Sequence, residues 1–174
     1  MTQIAFVATV GKGPISSAIN IQTWSDKSHT LIWDQDSDLI IEALAHVPGD
    51  PWYKPGRVVK RTLFAYDGAT LCYVYRPQGE FCHGIAWEFA CDQVDKPYDF
   101  KGCARFVSRG AGRTIPSVEK WFCSELATAV ARVGGGQVHW LPAYKVSPKL
   151  HAASVNFTEP EATTIERLQG VVVV

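Results

Sequence analysis

Residues 29–44, HTLIWDQDSDLIIEAL, limit what this chain can become more than any other stretch. Two short apolar runs rich in β-branched side chains flank Asp34-Gln35-Asp36-Ser37, whose short polar side chains favour a tight reversal. The pattern predicts a β-hairpin, which commits this part of the chain to an antiparallel sheet. A carboxylate interrupts the second run: Glu42 lies inside LIIEAL, where a strand ordinarily carries an apolar or neutral residue. If the hairpin is symmetric about Gln35-Asp36, Trp33 opposes Asp38 and His29 opposes Glu42, and directly opposed side chains share a face. A carboxylate there can hold the imidazole in one tautomer. The alternatives are a solvent-facing glutamate and a strand-end histidine, and a one-residue slip would part the two.

Around this hairpin the chain reads as an α+β domain. QIAFVATV is strand-like and meets a breaker at Gly11-Lys12-Gly13-Pro14, and ISSAINIQTW, residues 15–24, has the spacing of a short helix. From Val47 to Gly56, VPGDPWYKPG is a surface loop, and RVVKRTLFAY with TLCYVYR suggests a second hairpin about Asp67-Gly68. EFCHGIAWEFACDQV is helical in spacing, PYDFKGCARFV is mixed, and SRGAGRTIP is a loop. VEKWFCSELATAVARVG predicts a helix capped at Ser117 and stopped by Gly134-Gly135-Gly136. HWLPAYKVSP reads as a short strand before Pro148, and the apolar VVVV follows at 171–174 as a core or edge strand or a strand-addition segment.

Length and composition narrow the function classes. The 174 residues, 47% of them hydrophobic, suit one domain with one core spanning 1–174. Lys plus Arg and Asp plus Glu both number 17, so no global field attracts nucleic acid or an anionic membrane, and neither is an expected partner. No apolar run approaches the roughly 20 residues that span a bilayer, and no secretory leader opens the chain, so the expected location is cytoplasmic where the protein is made. Five cysteines, Cys72, Cys82, Cys91, Cys103 and Cys123, without a Cys-x-x-Cys pair argue for free thiols rather than a disulfide framework or a zinc site. No metal and no cofactor are expected.

Among these thiols Cys123 stands out by position. Cys123, Leu126, Ala127 and Val130 share one helical stripe, which a small buried residue would satisfy as well as a nucleophile. Reactivity needs a thiolate, and a free thiol with a pKa near ~8.5 needs a helix start or a histidine to supply one. With Ser117 as cap, Cys123 falls in the second turn, where the dipole fades; a start nearer Trp121 restores it. His29, at the head of an apolar strand with Glu42 nearby, is the best placed of the five histidines.

Taken in order, GPISSAIN, SHTLIW, LIIEA, DKPYDF, KWFCSEL and KVSP resemble the circularly permuted branch of the NlpC-type papain-like thiol hydrolases. That branch includes the YiiX-like proteins and, more remotely, lecithin:retinol acyltransferase. The likeness covers roughly residues 8–150, with histidine preceding cysteine along the chain, as His29 precedes Cys123 here. It implies a papain-like core in which a helix carrying the cysteine packs on an antiparallel, partly barrel-like sheet. It also implies Cys123 as nucleophile, His29 as general base, Glu42 as the residue orienting the imidazole, and Tyr98 and Trp121 lining the substrate site. The implied activity is hydrolysis of a peptidoglycan-type peptide amide or an ester through an acyl-thioester, with the Cys123 N–H as an oxyanion donor. The implied substrate is a small peptide or acyl compound. An acyltransferase of acyl lipids, or a non-catalytic component of a larger particle such as a virion, would use the same fold. The long VPGDPWYKPG loop departs from the family pattern and stands near the implied site.

Overall fold

The computed structural model describes residues 2–10, 17, 21, 25–67, 70–107, 119–136, 138, 141–154 and 156–170. Its strands are β1 (Ile4–Thr9), β2 (His29–Asp34), β3 (Leu39–Leu44), β4 (Arg57–Thr62), β5 (Leu71–Tyr75) and β6 (Glu161–Thr164). The helices are α1 (His83–Asp92), α2 (Phe100–Val107), α3 (Cys123–Val133), α4 (Pro148–Ala152) and α5 (Ile165–Gly170). All strand pairs are antiparallel, in the order β4-β3-β2-β1-β5-β6. The sheet is open, with β4 and β6 as its edges, where a partly barrel-like closure was expected.

The β2–β3 hairpin forms, but in a register two residues away from the symmetric one. Ile32 faces Ile41, Trp33 faces Ile40 and Asp34 faces Leu39. The reversal takes up residues 35–38 because Asp34 accepts from the Asp36 N–H at 3.2 Å and the Ser37 hydroxyl at 2.5 Å, and Asp38 turns the chain in the left-handed region with φ 56°. A shift of two preserves the alternation, so His29 and Glu42 keep their common parity and become diagonal neighbours. β2 and β3 stop pairing beyond Ile32–Ile41, while β3 continues along β4 as far as Leu44–Arg57.

Alternation along the strands builds two cores. Phe6, Ala8, Ile32, Ile41, Ala43 and Tyr75 pack with α1, α3 and α4 on one face. Ala5, Val7, Leu31, Trp33, Ile40 and Val74 pack with Leu63 and α5 on the other. Burial on both faces explains why IAFVAT is almost wholly apolar, as a central strand covered twice must be. Phe6 anchors the first core against Tyr75, His151 and Phe157, with ring centroids 6.0, 4.9 and 5.2 Å away. Phe6→Ala is expected to cost about 3–5 kcal/mol of stability, read by denaturant unfolding.

Several expectations are corrected. β4 and β5 form no hairpin about Asp67-Gly68: β4 pairs with β3 and β5 with β1. Leu63 buries itself in the second core and donates its N–H to the Asp38 carbonyl at 2.9 Å, so the chain leaves β4 as a 3-10 turn and crosses the sheet. HWLPAYKVSP carries no strand in its described residues; it holds a 3-10 turn at Ala143–Lys145, then α4 starts at Pro148, with Ser147 Oγ capping the Leu150 N–H at 3.1 Å. PYDFKGCARFV yields α2. The helix expected at 15–24 lies outside the described residues apart from Ser17 and Ile21, both helical, and 108–118 and 171–174 lie outside them altogether.

Candidate thiol site

Helix α3 starts at Cys123 itself, with Phe122 in extended backbone as its N-cap (φ −105°, ψ 167°). This replaces the start expected at Ser117. The chain before it is drawn into long-range pairing: Trp121 bridges Tyr98 in parallel, its N–H donates to the Pro97 carbonyl at 3.1 Å, and the Asp99 N–H donates to the Trp121 carbonyl at 3.0 Å. Helical backbone therefore begins only after Phe122, and the thiol occupies the first position, where unsatisfied N–H groups and the dipole favour an anion.

α3 packs on β2, β3 and α1, and Cys123 at its start interacts with His29 and Thr30, the first residues of β2. Cys123 is 3% exposed. Burial opposes the thiolate, but the neighbouring His29 charge first, then the polar groups of His29, Thr30 and Ser124 around the sulfur, outweigh it and hold the thiol below its ordinary range. For His29 burial likewise opposes the charged form, and the Cys123 and Glu42 partners overcome it, raising the imidazole to about 10. Both shifts run the same way, each favouring the thiolate–imidazolium pair over the neutral one.

Glu42 completes the contact. His29 Nε2 lies 2.6 Å from Glu42 Oε2, which leaves Nδ1 for the sulfur. Glu42 is fully buried, and its four acceptor directions are filled. Oε2 also takes the Tyr66 hydroxyl at 2.5 Å, while Oε1 takes Nε and Nη2 of Arg61, both at 2.6 Å. Burial pushes this carboxyl up, but His29, Arg61 and Tyr66 more than reverse that and keep it an anion. Arg61 also lies over the Tyr66 ring, 4.7 Å from its centroid. Neither Arg61 nor Tyr66 stands out in the sequence by itself. The signal that could have found them is Glu42: a buried strand carboxylate needs a cation, and the adjoining strand RVVKRT offers three besides its terminal threonine and valines.

The remaining expected residues divide. Tyr98 is buried beside the thiol, hydrogen-bonded to Cys103, and burial together with the Cys123 charge keeps its phenol protonated. The Pro-rich loop reaches the same end: the Gly56 carbonyl accepts the Tyr98 N–H at 2.8 Å, and a Cβ at 56 would lie 2.1 Å from the Leu44 carbonyl oxygen. At this loop's tip Trp52 and Tyr53 are exposed. Trp121, expected to line the site, is buried with its indole N–H on Gln93 Oε1 at 3.1 Å and its ring edge against Phe89, so its side chain anchors the segment before α3. Glu125 is buried in the first turn of α3 with Oε2 unpartnered, and burial with the nearby Asp99 raises it to about 8.

The fold these elements define is a mixed α+β one, an open antiparallel sheet covered by helices. Among solved structures it is similar to the crystal structure of YiiX from Escherichia coli O157:H7, described as a metalloprotein, with a TM-score of 0.64 and 18% identity over 93% of this chain and 96% of that one. Neither a protein-family model nor a curated protein matches the sequence. Among the described residues no group of three or more His, Cys, Asp and Glu is arranged to hold a metal ion, and the Glu42 oxygens are already engaged by four donors. No helix among the described residues is long and apolar enough to cross a membrane.

Proposed function

We propose that the protein is a cysteine hydrolase in which Cys123, His29 and Glu42 act as nucleophile, general acid-base and orienting carboxylate. The observation that carries this reading is His29, whose Nε2 lies 2.6 Å from the buried Glu42 carboxylate while its charge interacts with Cys123, a thiol at a helix start. The thiolate attacks an amide or ester carbonyl, and the imidazolium gives its proton to the departing amine or alcohol. Water, activated by the now neutral His29, then cleaves the acyl-thioester and releases the acid. The Cys123 N–H, at the first helical position, where α3 itself supplies no acceptor, is a natural donor to the developing oxyanion. Tyr98 walls the same end.

Substrates of the resembled family direct the test toward peptidoglycan-type peptides and acyl lipids. Wild type and Cys123→Ser are to be compared on both. Release of acid by wild type alone is the expected result. Iodoacetamide is expected to label Cys123 ahead of Cys72 and Cys103, whose buried thiols are pushed upward, and of Cys82 and Cys91, and the preference should vanish in His29→Ala. Uniform labelling of all five thiols with no acid released from either substrate class would sink the reading.

A further inference from the structure

Glu42 stands between two cations, with His29 Nε2 on Oε2 at 2.6 Å and Arg61 on Oε1 at 2.6 Å. With Cys123 as the thiolate of the proposed ion pair, the four groups carry two positive and two negative charges and the set is neutral. We propose that Arg61 is a positioning residue of the thiol site: by holding Oε1 of Glu42 with two N–H groups and cancelling its charge, it leaves the His29 imidazolium to pair with the Cys123 thiolate. This inference rests on the thiol-site reading above and adds to it the residue that balances its charge.

The geometry supports the assignment in three ways. Arg61 and His29 occupy different oxygens of Glu42, so the guanidinium supports the carboxylate without competing for the imidazole's acceptor. Both guanidinium N–H groups converge on Oε1, and the guanidinium itself lies over the Tyr66 ring, 4.7 Å from its centroid. Tyr66 adds a neutral donor on Oε2, since burial first, then the Glu42 charge, keeps its hydroxyl protonated. The other titratable groups around the sulfur, Tyr75 from β5, Tyr98 before α2 and Cys103 within α2, are all held neutral, chiefly by burial. Without Arg61 the set carries one net negative charge, and Glu42 competes with the thiolate for the single imidazolium.

The test is the pH dependence of Cys123 alkylation by iodoacetamide on the full chain, read as modified Cys123 peptide by mass spectrometry. In Arg61→Gln the acidic limb is expected to rise by about one pH unit, a rate about tenfold lower at any pH below it. Arg61→Lys, which keeps the charge, should recover most of that shift, and Tyr66→Phe, which removes a donor but no charge, should leave the limb in place. Glu42→Gln unbalances the set the other way and should lower the limb, and Glu42→Gln/Arg61→Gln should bring it back up. That double comparison stands even where Arg61→Gln does not fold, because it leaves no buried charge of the Glu42–Arg61 pair alone. A double variant whose limb coincides with that of Glu42→Gln, or a folded Arg61→Gln with the wild-type limb, overturns the role of Arg61. A wild-type limb at an ordinary thiol value would instead overturn the thiol site itself.

Discussion

Cys123→Ala is expected to lower turnover by a factor of about 10⁴ or more, to the level of buffer and binding alone, once a cleaved substrate is in hand. His29→Ala should cost nearly as much, because a thiol without its imidazolium is a protonated, buried side chain. The informative measurement is the double variant. Groups that act as one unit lose their effect together, so Cys123→Ala/His29→Ala should be no slower than either single change. Full additivity of the two losses would mean that the residues serve separate purposes. Substrate affinity, taken from inhibition by the product, should stay within a few-fold in all three, since neither side chain is needed to hold the remainder of the substrate.

A bell-shaped pH profile of kcat/KM is the second large effect. On the proposed mechanism the working form is the thiolate with the imidazolium, so the rate is expected to rise as Cys123 loses its proton and to fall as His29 loses its own. His29 is raised, to about 10, so the protonated ring that must deliver a proton to the leaving group persists through neutral pH and is lost only as pH passes that value. Cys123 is lowered, so the rising limb lies on the acid side of the ordinary thiol range. The plateau therefore runs from below the ordinary thiol range up to about 10, with a decline of about tenfold per unit beyond the upper limb. Initial rates from pH 5 to 11 on one substrate measure both limbs; a single rise at the ordinary thiol value, without a plateau below the upper limb, would contradict the ion pair.

How far the sequence carries is best seen at His29 and Glu42. Period-two alternation suffices to give them one parity, and the two-residue error in register did no harm because it preserves that parity. The start of α3 was not legible. Ser117 has the chemistry of a cap, but Trp121 is held by Tyr98, Pro97 and Asp99, contacts formed across more than twenty residues of chain that no local window contains. The supposed β4–β5 hairpin failed for a related reason: Asp67-Gly68 suits a turn, but the free side of β1 takes β5, and Leu63 is worth more in the second core than in a continued strand. Arg61 was invisible for want of a partner, since an arginine in RVVKRT reads as a solvated strand residue until the buried carboxylate on the next strand is seen to need it.

The order of strands places this cation on β4, and β4 is an edge. Its outer side pairs only near its beginning, where Val58 exchanges hydrogen bonds with Asp95 and Lys96 at 3.0 and 2.9 Å; beyond that point no further strand adjoins it among the described residues. Edge strands fray first in native-state fluctuations, at a fraction of the free energy of global unfolding. Arg61 is nevertheless tied down from both sides, by its pairing with Ile40 and by Leu63, which is sunk in the second core two residues further on. The proposed nucleophile thus sits on a helix covered by both sheet and helices, while the cation proposed to balance it comes from an edge strand of that sheet.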